Sequence, residues 1–202
     1  FAGSVYVFVF SAGGWTEQAH FVELHGKTPH LGSPVGIDGN TIVVGAPGGG
    51  IVDDSAHVYV RRGNSWSHQA QLLASDGSQN DNFGNSVAIS GNVVVVGAPY
   101  DDTPAGSQAG SVYVFERTGS SWTQQAHLFA SAAAPKNYFG YSVDIDGDTI
   151  VAGSPLDDRN SFLLINNGSA YVYRFMRGAW HEQDRLFPRG TRGFGWSVAI
   201  SG

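Results

Sequence analysis

Apolar and polar positions along the chain come in short bursts with strand-like spacing. Residues 86–90 (SVAIS) alternate Val and Ile with smaller neighbours, and residues 93–98 (VVVVGA) are apolar without a break. Residues 111–115 (SVYVF) alternate Val with an aromatic, and residues 122–129 (WTQQAHLF) alternate Gln or His with Ala or Leu. Period-two alternation predicts half-covered strands, and the unbroken apolar run predicts a strand covered on both faces. The fourth, more polar segment fits an outer edge strand. The first two are joined by Ser-Gly-Asn, or elsewhere Asp-Gly-Asn/Asp. These predict tight hairpins of about three residues in which Gly supplies a positive φ.

The same order of segments recurs. Trp15, Trp66, Trp122 and Trp180 are 51, 56 and 58 residues apart, and Gly32, Gly84, Gly140 and Gly195 are 52, 56 and 55 apart. A period of about 40–60 residues with four strands per unit predicts an all-β fold of β-propeller blades, each a four-stranded antiparallel meander. The boundaries divide the chain into one array: a partial blade at 1–30 (strands three and four), blades at 31–81, 82–137 and 138–192, and the first strand of a further blade at 193–202. That makes fifteen strands. The chain opens at Phe1 inside an expected strand, so a mature or truncated piece is expected.

Phe-Gly followed about 12 residues later by Gly-Ala-Pro marks each unit. It stands as Phe83-Gly84 with Gly97-Ala98-Pro99, and as Phe139-Gly140 with Gly153-Ser154-Pro155. Leu31-Gly32 with Gly45-Ala46-Pro47 is a weaker copy. This pattern resembles the bacterial-style FG-GAP repeat, related to the propeller of integrin α chains, and it spans the chain. The resemblance implies a propeller, typically of seven blades, serving adhesion, ligand binding or surface architecture. Integrin-type repeats often carry a calcium loop between strands one and two. Here that connection is too short to wrap the six to eight oxygens calcium requires. Asp144, Asp146 and Asp148 are the best set for a weak ion, read beside an ordinary hairpin turn. No cofactor is otherwise expected.

Composition narrows the function. Net charge is −6 and Lys plus Arg number only 11, without the basic face a nucleic-acid partner requires. The cluster Arg174, Arg177, Arg185, Arg189 and Arg192 reads as solvated surface. No apolar stretch reaches the ~20 residues of a membrane-spanning helix. There is no Cys, and no G-x-S-x-G, H-E-x-x-H or phosphate-loop motif. The chain is therefore expected not to be an enzyme.

Residues that recur in every unit serve the fold, and those that break register are site candidates. Trp15, Trp66, Trp122 and Trp180 are expected between blades. His20 and His127 share a register with Gln71 and Arg185, which predicts a solvent-facing outer edge. The connections at 48–55, 100–110 and 156–168 are long, variable and on one face, where binding concentrates. They carry Asp53-Asp54, Asp101-Asp102 and Asp157-Asp158, read either as loop braces or as carboxylates facing a ligand. Tyr100, Asp101, Asp102, Asp157, Asp158, Arg159 and Phe162 are the candidate ligand residues. Phe162 opens an apolar run that suits a partner contact. Asn167-Gly168-Ser169 is a glycosylation pattern, relevant only to a secreted eukaryotic protein. The expectation is an extracellular or cell-surface propeller whose partner is a protein or glycan, or further copies of itself. A carbohydrate-binding lectin and a filament subunit completed by neighbouring strands are the alternatives.

Overall fold

The computed structural model describes residues 3–22, 31–48, 54–157, 167–188 and 192–202. Among them, β1 (Ser4–Ser11) pairs with β2 (Gly14–Val22). A four-stranded sheet follows: β3 (Val35–Asp38), β4 (Thr41–Ala46), β5 (Ser55–Arg62) and β6 (Ser65–Leu72). The next holds β7 (Ser86–Ser90), β8 (Val93–Ala98), β9 (Ser111–Thr118) and β10 (Ser121–Leu128). The last holds β11 (Ser142–Asp146), β12 (Thr149–Ser154), β13 (Ser169–Met176) and β14 (Ala179–Leu186). Each is an antiparallel meander in chain order, and none of the described residues is helical. These sheets are the blades of a β-propeller.

The hairpins joining strands one and two have two residues rather than three. Asp38 pairs with Thr41, Ser90 with Val93 and Asp146 with Thr149. Gly39, Gly91 and Gly147 take φ values of 53°, 57° and 55°, the left-handed backbone such turns require.

The apolar cores lie between blades, not within them. One joins Val5, Val7, Leu31 and Val44. The second joins Val43, Val58, Phe83, Val94 and Tyr113, and the third Val95, Val114, Phe139, Ile150 and Tyr171. Strand two is buried along its whole length in β4, because a blade lies against each face. Phe83 and Phe139 are 1% and 0% exposed, so the Phe of Phe-Gly is an inter-blade plug worth roughly 1.5–3 kcal/mol of burial.

A bulge in each outer hairpin locks neighbouring blades. Pairing between strands three and four skips one residue in every blade: Gln18, Gln69, Gln125 and Gln183. A bulge re-aims its residue, and three of these Gln side chains meet the next blade's Trp. Trp66 Nε1 donates to Gln18 Oε1 (2.8 Å), Trp122 Nε1 to Gln69 Oε1 (2.8 Å) and Trp180 Nε1 to Gln125 Oε1 (3.0 Å). Trp15, in the β1–β2 hairpin, is 70% exposed.

Residues 195–202 make no ladder, so fourteen strands form among the described residues rather than fifteen. A strand needs backbone partners, and this segment meets side chains of β11 instead. Ile200 N–H donates to Asp144 Oδ2 (2.8 Å) and Gly202 N–H to Asp146 Oδ2 (2.7 Å).

Two glycine positions of the repeat, in Phe-Gly and in Gly-x-Pro, set the blade spacing. Gly84 has φ +92°, and a Cβ there would overlap the carbonyl oxygen of Ser55 in the preceding blade. Gly45, Gly97 and Gly153 would each drive a Cβ into the carbonyl of the next blade's Phe-Gly glycine. Gly91 has a positive φ as well, but nothing lies within 4 Å of its Cβ position. Gly84→Ala is therefore expected to destabilise by at least about 2 kcal/mol, through strain plus collision with backbone. Gly91→Ala is expected to cost about 1 kcal/mol, through strain alone. Urea unfolding of the two variants checks the order, and equal losses would contradict it.

Candidate functional site on the loop face

The long connections between strands two and three meet the connections between blades on one face. Lys136 N–H donates to Ser107 O (2.9 Å), and Phe139 N–H to Ala109 O (3.0 Å). Within the loop after β8, Gln108 N–H donates to Asp102 Oδ1 (2.8 Å), and Gly110 N–H to Asp101 O (3.1 Å). The second Asp of the pair thus braces the loop, while the first turns its carboxylate inward. Tyr100 stands over this loop with its ring edge-to-face on Tyr138, centroids 5.1 Å apart.

Asp101 is buried and anchored by β9. Ser111 Oγ donates to its Oδ2, and the Tyr113 hydroxyl lies 3.2 Å from the same atom and 3.1 Å from Asp76 Oδ1. Burial, and then the charges of Asp101 and Asp76, push the Tyr113 hydroxyl far up, so it stays protonated as a donor. His127 comes from the strand position directly opposite Tyr113 and stacks on its ring at 4.1 Å. Its Nδ1 is 3.3 Å from Asp76 Oδ2, and its Nε2 is 3.5 Å from Asp101 Oδ2. The His127 side chain is only 18% exposed. This corrects the expected solvent-facing role at His127, which faces the loop carboxylate; His20 and Gln71, at the same register, are exposed.

Asp76, Asp101 and His127 line a cavity of about 340 Å³ with Asp81, Asp102, Gln108, Tyr100 and Phe129. Burial is the main cause that raises Asp81 to about 6; the Ser78 amide opposes it, and Asp101, Asp54 and Asp102 add to the rise.

The next blade repeats the arrangement with different partners. Asp157 is 1% exposed and takes the Tyr171 hydroxyl at 2.6 Å. Arg185, at the His127 register, sends Nη2 to Asp157 Oδ2 at 2.7 Å, with its guanidinium 5.6 Å from the Tyr171 ring centre. Its side chain is 20% exposed, so Arg185 departs from the expected solvated Arg cluster; Arg174, 55% exposed and 3.4 Å from Asp148, fits it. Asn137, at the Asp81 register, donates to Asp157 Oδ1 (3.1 Å). In the blade before, Asp54 accepts from Gly48 N–H at 2.5 Å.

Asp53, Asp158, Arg159, Phe162 and the apolar run lie outside the described residues. Asp144 and Asp146 receive backbone N–H groups from residues 200 and 202, while Asp148 meets Thr149 Oγ1 (3.0 Å) and Arg174. The three carboxylates thus do separate work, and among the described residues no group of three or more His, Asp or Glu is placed to hold a metal ion. In the glycosylation pattern, Gly168 bridges to Phe194 and Ser169 is 1% exposed. Asp76, Asp81, Tyr113 and His127 were not among the expected site residues. The signal that finds them is the cross-strand pairing of Tyr113 with His127 and the Asp81/Asn137 difference two residues before each Phe-Gly.

Asp81 binds its proton more tightly folded, at about 6, than in an unfolded chain near 3.9. Between those values the folded state holds the extra proton, so stability falls as pH rises from about 4 to 6. Asp81→Asn, the residue of the next blade, is expected to raise stability at pH 7 and to flatten this slope. Thermal melts from pH 4 to 7 check it, and an unchanged slope would overturn it.

The FG-GAP repeat profile matches residues 66–115 and 122–173, just over half of the 202 residues. No curated protein matches the chain in sequence. Among solved structures, the N-terminal domain of Nup159 is similar at a TM-score of 0.42 and 14% identity, over 84% of this chain and 39% of that one. This chain thus spans well under half of that domain. FG-GAP repeats occur in extracellular and surface proteins in general, and their propellers are typically non-enzymatic. With both Phe-Gly/Gly-x-Pro units inside the matched segments and the blades they predict in place, the chain belongs to the FG-GAP repeat family.

Proposed function

We propose that this propeller is a non-enzymatic binding protein of the cell surface or extracellular space, and that it engages a protein partner through the cavity over Asp101. The partner presents an Arg or Lys side chain. The observation that carries this reading is the contrast between two blades at one register. On Asp157 the chain seats its own Arg185 guanidinium against the Tyr171 ring. On Asp101 it seats His127, and the carboxylates of Asp76, Asp81 and Asp102 line the same cavity. A bound guanidinium there would repeat a contact the fold already makes next door, as a charge-assisted hydrogen bond with a cation–π contact. The volume falls within the range of about 300–1,000 Å³ usual for a binding pocket.

A second reading is a glycan ligand, favoured by Tyr100 and Phe129 beside carboxylates that accept hydroxyls. It draws on the lectin-like geometry of an aromatic platform with acids at its rim, confined to one blade.

The test is His127→Arg, which fills the cavity from within as Arg185 does in the next blade. Binding of Arg- or Lys-rich peptides to immobilised protein is expected to fall by tenfold or more, about 1.4 kcal/mol, with the melting temperature held. Asp102→Asn is expected to weaken binding and its salt dependence. Undiminished peptide binding in His127→Arg would sink the proposal, and glycan capture lost in Tyr100→Ala would replace it with the second reading.

A further inference from the structure

The blade of β3–β6 departs from the repeat at two positions, and the fold brings the two together. His57 occupies the register held by Tyr6, Tyr113 and Tyr171. His68 occupies the register held by Glu17, Gln124 and Glu182. In β5 and β6 their rings face each other, with Nδ1 of His57 3.1 Å from Nε2 of His68. Both changes put an imidazole where other blades have none, and a single new histidine would not have made the pair.

The outer nitrogen of His57 is already held, and a backbone contact reaches the His68 ring. Nε2 of His57 lies 3.2 Å from Ser55 Oγ, and the Ala70 backbone hydrogen-bonds His68. Such outer contacts orient metal-ligating imidazoles and fix which nitrogen faces inward. The inward separation also has the right size. Two nitrogens 3.1 Å apart, each ~2.05 Å from a shared ion, subtend about 98° at that ion. That lies between the square-planar and tetrahedral angles that imidazole complexes of first-row metals adopt. The strands restrain the geometry, and His68 is exposed, which leaves the remaining coordination positions open to water.

We propose that His57 and His68 form a two-imidazole site for a divalent first-row transition metal, with Cu²⁺ bound most tightly. In the metal-free chain one proton between the inward nitrogens satisfies both. Each neutral imidazole keeps one proton, so as the cation takes both inward lone pairs that proton moves, through solvent, to the outer nitrogen of its own ring. The pair lies on a different blade from the cavity over Asp101, so this site stands or falls independently of the binding reading. Cu²⁺ leads because affinity at nitrogen sites rises along the first row to copper.

The repeat itself supplies the test variants. His57→Tyr and His68→Gln each install the residue that another blade carries at that register, so the fold is retained and circular dichroism verifies it. Cu²⁺ is titrated into the full chain and followed by electron paramagnetic resonance. The unaltered protein is expected to take up one Cu²⁺ with hyperfine structure from two nitrogens. Each variant is expected to lose at least about tenfold in affinity, since even an outer contact is worth that much, and to lose the two-nitrogen pattern. His181→Gln, at an exposed position on β14, is expected to change neither. Uptake of Cu²⁺ that survives both variants, loss confined to His181→Gln, or no uptake by the unaltered protein would overturn the proposal.

Discussion

The close approach of glycine to a neighbouring backbone carbonyl is the constraint on which this array depends. Gly84, Gly140 and Gly195 press against the carbonyls of Ser55, Ser111 and Ser169, and the Gly of each Gly-x-Pro receives the next Phe-Gly carbonyl. Blade spacing is thereby set by backbone, which does not vary with side-chain identity. The Phe plugs, the Trp–Gln contacts and the valine-rich second strands all fill a gap whose width is already fixed. This is why Leu31 can stand in for Phe at one plug while its glycine stays.

Rigid spacing has a consequence for the loops. The connection after strand two begins at the Gly-x-Pro anchor and ends at a buried Ser of strand three. Both ends are pinned, so the residues between them can vary in length and charge without disturbing the blade. The Asp two residues after Pro is held in the same place in two blades, as Asp101 and Asp157, by Tyr from strand three. Only what sits across from that Tyr changes. A buried carboxylate must be paired or hydrogen-bonded, and each blade finds its own partner: Arg185 in one, His127 with the Tyr113 and Ser111 hydroxyls in the other.

Most of the fold was legible in the sequence because its determinants are local and repeated. Alternation, the tight Gly turns and the Phe-Gly to Gly-x-Pro spacing each report a backbone requirement that recurs about every 55 residues. The final segment was less legible: FGWSVAISG has the strand pattern, but a strand is defined by its neighbour as well as by its own residues. The site was only half legible. Tyr100, Asp101 and Asp102 stand out in the loop, whereas His127 lies on a strand whose polar pattern reads as solvent-facing. The bulge at Gln125 hides the relation, since it shifts the register by one and turns His127 toward Tyr113. Asp76 and Asp81 come from the link between blades and reach the cavity only through the blade packing.

A repeat protein carries internal controls. Where three blades agree, the residue answers to the fold, and where one departs, the fold has tolerated something else. A lone departure needs no further cause, because exposed registers drift freely. Paired departures that touch are a different matter, since each change must fit the other. His57 and His68 meet that condition at 3.1 Å. The Asp101 cavity meets it too: Arg at 185 goes with Asn at 137 and Ala at 132, while His at 127 goes with Asp at 81 and Asp at 76. In the first set one guanidinium answers one carboxylate. In the second, Asp76 and Asp101 flank a single imidazole while Asp81 lines the same cavity, and the surplus negative charge sits where solvent, and a partner, can reach it.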